Sequence, residues 1–118
     1  RYGQGTTEVW YVRTATMRDL MKGSAFALRH GIALPDPMNL EATHMFMGRV
    51  AENNPNEVFS MMQGEVWSPN GEARPMARRV GHTSMMVGDI VIINGRPLMV
   101  DSHGFFDLNK QARAARSQ

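Results

Sequence analysis

The stretch Ile90-Val91-Ile92-Ile93-Asn94-Gly95-Arg96-Pro97-Leu98-Met99-Val100 decides the fold. Asn94-Gly95 stands between two apolar runs, and both residues tolerate the positive φ of a type I′ turn. A two-residue loop there sets the register of a β-hairpin: Ile93 faces Arg96, Ile92 faces Pro97, Val91 faces Leu98 and Ile90 faces Met99. Ile90, Ile92 and Met99 then share one face, while Val91, Leu98 and Val100 share the other. Both faces are apolar, so at least one strand should be covered on both sides. Pro97 falls in a pair without ladder hydrogen bonds, with its missing N–H directed away from Ile92. That placement suggests a sheet edge beside it.

Just upstream, Val87-Gly88-Asp89 reads as a turn whose carboxylate can accept from nearby backbone N–H groups. The competing reading makes Asp89 a base or a metal ligand. Toward the N-terminus, Glu8-Val9-Trp10-Tyr11-Val12-Arg13 is β-branched and aromatic without alternating, as befits a central strand, and residues 1–7 are expected to fray. Thr16 caps a helix that places Met17, Leu20, Met21 and Leu28 on one side, with Gly31 as its stop. Phe26 lies on the opposite side, beside Asp19, Lys22 and His30, either under a loop or as part of a contact surface. Thr43 to Val50 follows as a second strand, in which His44 reads as a satisfied sheet residue rather than a ligand. Asn54-Pro55-Asn56-Glu57 opens a second helix with an Asn cap, Pro at the first helical position and Glu at the third. A broken segment after Gly64 restarts at Pro75 and ends near Gly81.

The order strand, helix, strand, helix, irregular segment, hairpin predicts an α+β fold: one domain over residues 1–108, a mixed sheet with a C-terminal antiparallel hairpin, and two to three helices packed on one face. Residues 109–118 form a basic tail expected to be mobile. At 118 residues the chain can bury a modest core. It has no cysteine, which excludes disulfides and thiolate zinc sites and fits a reducing cytoplasm. No run approaches the ~18 apolar residues of a membrane span, so no membrane association is expected. Net charge is only +2, which does not compel nucleic-acid binding. The 11 methionines suit either a plastic core or an adaptable binding surface.

His82-Thr83-Ser84-Met85-Met86-Val87-Gly88-Asp89-Ile90-Val91, followed by Val100-Asp101-Ser102-His103-Gly104-Phe105, resembles the YodL-like domain family of small phage-, plasmid- and bacterium-encoded proteins. Met62-Gln63-Gly64-Glu65-Val66-Trp67-Ser68-Pro69-Asn70-Gly71-Glu72-Ala73 is similar to the segment that precedes this motif in phage- and plasmid-borne relatives. The resemblance spans residues of about 62–108 and implies a mobile-element setting, in a bacterial cytoplasm or a virion. It implies no activity and no catalytic residues.

Three kinds of chemistry compete. A hydrolase or metal-dependent enzyme would be centred on His82, Ser84, Asp101 and His103, with Asp89 as an alternative orienter. Ser84 lacks a nucleophile elbow, and no H-E-x-x-H spacing is present. A nucleic-acid binder would use Arg74, Arg78, Arg79, His82 and the basic tail, with Trp67 as a stacking surface. A non-enzymatic module acting through protein–protein contacts on a host or phage protein, as a modulator or a virion component, is the leading expectation. Its candidate contact residues are Phe26, Trp67, Asn70, Arg74, Arg78, Arg79, His82, Thr83 and Ser84, together with the hairpin edge near Pro97. No cofactor, metal or catalytic residue is expected.

Overall fold

The computed structural model describes residues 5–64, 67, 71 and 74–109, apart from the side chains of residues 74, 76 and 77. Within them a five-stranded sheet is built from β1 (Thr7–Val12), β2 (His44–Val50), β3 (Ile90–Ile93), β4 (Arg96–Val100) and β5 (Phe105–Asp107), in the order β2-β1-β3-β4-β5. All four pairings are antiparallel, so the fold is α+β as expected but the sheet is not mixed. The hairpin register is the one that Asn94-Gly95 requires: Ile90↔Met99, Val91↔Leu98, Ile92↔Pro97 and Ile93↔Arg96. Both turn residues have positive φ, 52° at Asn94 and 78° at Gly95. β1 is interior, as its non-alternating sequence indicated.

The ladder ends beside Pro97 as expected, since β4 pairs with β5 only from Leu98 to Val100, although the proline ring itself is buried. The proline is accommodated because β5 reaches only as far as Asp107 opposite Leu98, so no strand asks Pro97 for an N–H.

Because both strand faces are apolar, both are covered. On one face Val9, Tyr11, Val91, Ile93, Leu98 and Val100 pack with Val58 of helix α3 (Pro55–Met61), Val80 of helix α4 (Arg74–Val80), and Met62, Trp67 and Met85. On the other, Val12, Ile90 and Met99 pack with Leu20 of helix α1 (Thr14–Leu20), Leu40 and Leu108. The expectation of helices on a single face is thereby corrected: α1 lies opposite α3 and α4. Four methionines, Met47, Met62, Met85 and Met99, are fully or almost fully buried, and Met17, Met45 and Met61 pack half-buried against the core, whereas Met21 and Met38 are exposed.

The single helix expected from Thr16 to Gly31 is two. α1 ends at Leu20, and a second helix, α2 (Ser24–Arg29), starts after Gly23, which has φ 93°. The break turns Leu28 and Met21 outward, 48% and 49% exposed, and buries Ser24 and Ala27 instead. α3 forms as its cap predicts, with Asn54 Oδ1 accepting from Asn56 N (2.9 Å) and Glu57 N (3.4 Å). The N-terminal stretch is ordered further out than expected: Thr7 is buried in β1, and Gly5 packs so closely on Ala51 that a Cβ would lie 2.4 Å from its Cα. The tail from residue 110 lies outside the described residues. Among those described, no helix is long and apolar enough to cross a membrane.

Candidate functional site

The loop from His82 to Asp89 enters β3, and the polar side chains singled out in the sequence converge on it. Asp89 is completely buried. One carboxylate oxygen accepts from Val12 N (2.7 Å) at the end of β1, and the other from Met86 N (2.9 Å). His82 Nε2 reaches both oxygens, at 3.0 and 2.9 Å. The local turn that Gly88 permits, with φ 100°, brings Asp89 back onto its own loop, as the turn reading anticipated. The bond to Val12 adds a connection across 77 residues.

The rest of the loop is tied down in the same manner. Thr83 O accepts from Tyr11 Oη (2.8 Å) and from Trp67 Nε1 (3.0 Å). Ser84 Oγ accepts from Gly64 N (2.7 Å), and Met85 O accepts from the Gln63 side chain (3.1 Å). His44 Nε2 is 2.7 Å from Gly88 O, and the Tyr11 ring stacks on His82 with centroids 4.6 Å apart. Among the described residues no buried side-chain nitrogen or oxygen lacks a partner. Burial on its own lowers the His82 pKa. The Asp89 hydrogen bond and charge, with the Val80 carbonyl, outweigh it and leave the imidazole raised above 6.5. Burial raises the Asp89 carboxyl above its ordinary value, and the hydrogen bonds from His82, Val12 N and Met86 N offset only part of that rise.

This geometry has a chemical consequence. His82 Nδ1 faces Val80 O (3.3 Å) while Nε2 faces Asp89, so both ring nitrogens meet groups that only accept. Both nitrogens are engaged away from Ser84, whose Oγ instead accepts from Gly64 N. The other half of the suggested constellation lies elsewhere. Asp101 accepts from Ser24 N (2.9 Å), from the Ser24 hydroxyl and from Ser102 N (2.7 Å), and so caps α2. β4 stops at Val100, so Asp101 and His103 do not share a strand face, and His103 is exposed in the turn. Ser84, His82, Asp101 and His103 are therefore not assembled into one site. Among the described residues no three His, Asp or Glu side chains gather to hold a metal ion.

The remaining candidates fall in different places. Trp67 is only 5% exposed and donates Nε1 to Gly64 O and Thr83 O, which removes it as a stacking platform. Phe26 is half-buried, against His30 (centroids 4.2 Å apart) and under Lys22 Nζ at 4.9 Å. Arg78 and Arg79 are exposed in the last turn of α4. Asn70 and the side chain of Arg74 lie outside the described residues.

One surface went unnoticed in the sequence. On the face that α1 covers only in part, Trp10, Phe46, Ile92 and Phe106 are half-buried. Trp10 and Phe46 are cross-strand partners with ring centroids 5.2 Å apart. Beside them runs a shallow trough of about 380 Å³, lined by Trp10, Pro37, Leu40 and Ile92 together with the polar Asn39 and Glu41, and Met38 stands on its wall at 91% exposed. The alternation of Trp10 and Val12 with Val9 and Tyr11 was a usable signal. It shows that β1 has two apolar faces, although not which would stay open.

No family model, curated protein or solved structure matches the chain.

Proposed function

We propose that the chain is a non-enzymatic binding module of a phage or other mobile element, working through protein–protein contacts at the half-open sheet face. The observation that carries this reading is Met38, an unbranched apolar side chain 91% exposed beside a trough floored by Trp10 and Ile92. Stability alone gives no reason to leave aromatic and aliphatic side chains uncovered together, and such patches are typical of contact surfaces. The conspicuous polar residues of the 82–89 loop are engaged with backbone, which leaves no activated nucleophile to argue for catalysis. The resemblance of residues 62–108 to YodL-like domains supports the mobile-element setting, as a host-factor modulator or a virion component.

The test is capture from a nuclease-treated bacterial lysate with the parent chain and with Met38→Asp. A protein retained by the parent and lost by Met38→Asp supports the reading. Equal retention by both, or a protein captured only from an untreated lysate, refutes it. A nucleic-acid reading retains one specific support, the exposed neighbours Arg78 and Arg79. Retention on heparin that weakens with salt and disappears in Arg78→Ala/Arg79→Ala would favour it.

A further inference from the structure

The trough on the half-open face is not electrically neutral. Of the residues that line it only Glu41 carries a charge, and Glu41 is exposed. Arg13 Nε donates to the backbone carbonyl of Glu41 (3.2 Å), not to its carboxylate. A second glutamate, Glu8, stands at the edge of the Trp10 ring and accepts from its Nε1 at 3.0 Å. Among the described residues the ion pairs are His82–Asp89 and Arg96–Asp107, so neither glutamate is matched by a cation. The same face already holds one cation on an aromatic ring. The Arg49 guanidinium lies over Phe46, 5.5 Å from the ring centroid, and Phe46 is the cross-strand partner of Trp10. Indole is the better ring for a cation, yet among the described residues none stands over Trp10. Giving its N–H to a carboxylate makes that indole more electron-rich, which strengthens its attraction for positive charge. Beside it, Met38 is held out by a turn in which Asn39 N donates to Asp36 O (2.9 Å), Pro37 takes the second position and Asp36 Oδ1 accepts from Met38 N (2.9 Å).

We propose that the trough takes an arginine of the partner, carried on an otherwise apolar segment, with its guanidinium stacked on Trp10 and paired with Glu41 and its apolar neighbour against Met38. That occupant presupposes the contact face proposed above and gives it a ligand chemistry. Arginine fits better than lysine, because its planar, weakly hydrated head lies flat on an indole while its in-plane N–H groups meet a carboxylate. An acidic segment would bring like charge to Glu41 and Glu8. A wholly apolar one would strip water from Glu41 and offer nothing in exchange. At about 380 Å³ the trough is at the small end of ligand sites, with room for one or two side chains rather than a cofactor. Because it is shallow, the charge pair stays near water and contributes more to selectivity than to affinity.

The probe is a blocked leucyl-arginyl-leucine tripeptide, compared with the same peptide carrying lysine, citrulline or glutamate in the central place. Citrulline has nearly the shape of arginine without its charge. Each peptide is titrated into the full chain while the two indole N–H resonances are followed by NMR, with Trp67, on the opposite side of the sheet, as the control. The arginine peptide should move the Trp10 resonance and leave that of Trp67 in place. It should bind about 3- to 10-fold more tightly than the citrulline peptide, with lysine between them and glutamate weakest. Glu41→Gln should cut that preference by about 2- to 5-fold and leave citrulline binding unchanged, and added salt should weaken the arginine peptide but not the citrulline one. Equal binding of the arginine and citrulline peptides overturns the proposal. So does a preference that Glu41→Gln leaves untouched, or a Trp10 resonance that no peptide moves at millimolar concentration. If Met38→Asp nevertheless abolishes capture from lysate, the contact face stands without its arginine. If capture is equal while the arginine preference holds, the trough stands as a site and the contact-face reading falls. The comparison of arginine with citrulline is made on the parent chain, so it decides the matter whether or not Glu41→Gln folds.

Discussion

Asp89→Asn keeps the shape of the side chain and removes its charge together with one acceptor. In the native loop the two carboxylate oxygens serve Val12 N at 2.7 Å, Met86 N at 2.9 Å and the His82 ring. An amide has one oxygen, so its NH₂ must point at either Val12 N or Met86 N, whichever way it is turned. A buried N–H then loses its partner and meets a second donor, which costs about 1–3 kcal/mol. The imidazolium of His82 loses its counter-charge as well, and breaking a buried pair on one side typically costs about 3–5 kcal/mol. His82 can relieve part of this by shedding a proton, so the expected loss is about 3 kcal/mol. Against a domain stability of about 5–15 kcal/mol that is a large fraction, equivalent to a fall in Tm of about 10 °C. Urea titration followed by circular dichroism near neutral pH measures it directly, with the m value checking that the transition stays cooperative. A double-mutant cycle with His82→Gln separates the pair from the backbone contacts. A loss below about 1 kcal/mol at unchanged m would refute the claim that Asp89 organises the loop.

The stability of the parent should also depend on pH in two directions. His44 is lowered to about 4, so the unfolded chain takes its proton first, and stability falls as the pH drops from about 6.5 to about 4, by about 3 kcal/mol in all. His82 is raised, so its contribution is complete below about 6.5 and disappears as the pH rises through its folded value. Urea midpoints across the range should peak near neutrality, with His44→Gln flattening the acid side and His82→Gln the alkaline side. Gly95→Ala should cost about 1 kcal/mol, from positive φ alone, since nothing lies within 4 Å of the added Cβ. Gly23→Ala should cost clearly more by the same denaturation assay, because its Cβ would fall 2.6 Å from Asp101 Oδ1 and disturb the α2 cap. Ser84→Ala should lower stability by no more than about 1 kcal/mol and leave partner capture intact, since its oxygen serves only Gly64 N at an exposed site. Loss of capture in a folded Ser84→Ala chain would contradict the proposed contact face.

Local chemistry made some elements legible in advance. Asn94-Gly95 has few conformations open to it between two apolar runs, so the turn determined which residues of β3 and β4 meet. Asn54 and Pro55 marked the start of α3 because capping acts over three residues. The break at Gly23 was not legible: what caps Ser24 is Asp101, 77 positions away, and no local pattern announces a partner at that distance. The pairing of the strands across β1 was hidden for the same reason. At the loop, the turn-forming role of Asp89 could be read from Val87-Gly88-Asp89, whereas its bond to Val12 and the stacking of Tyr11 on His82 depend on the closed sheet. Composition misplaced Trp67, since an indole flanked by turn-forming residues looks exposed until the core that receives it is known.

The short fifth strand limits how copies of this molecule can meet at one of the two sheet edges, β2 forming the other. β5 offers a rim of three residues, Phe105–Asp107, and the next position inward along β4 is Pro97, which has no N–H to donate. A strand arriving from another molecule could gain only a few rungs there before the ladder ran out, too little to seed a growing fibre. Self-association through that side of the molecule is disfavoured by the backbone itself. A single charge in place of the exposed Met38 should raise the solubility limit of concentrated solutions.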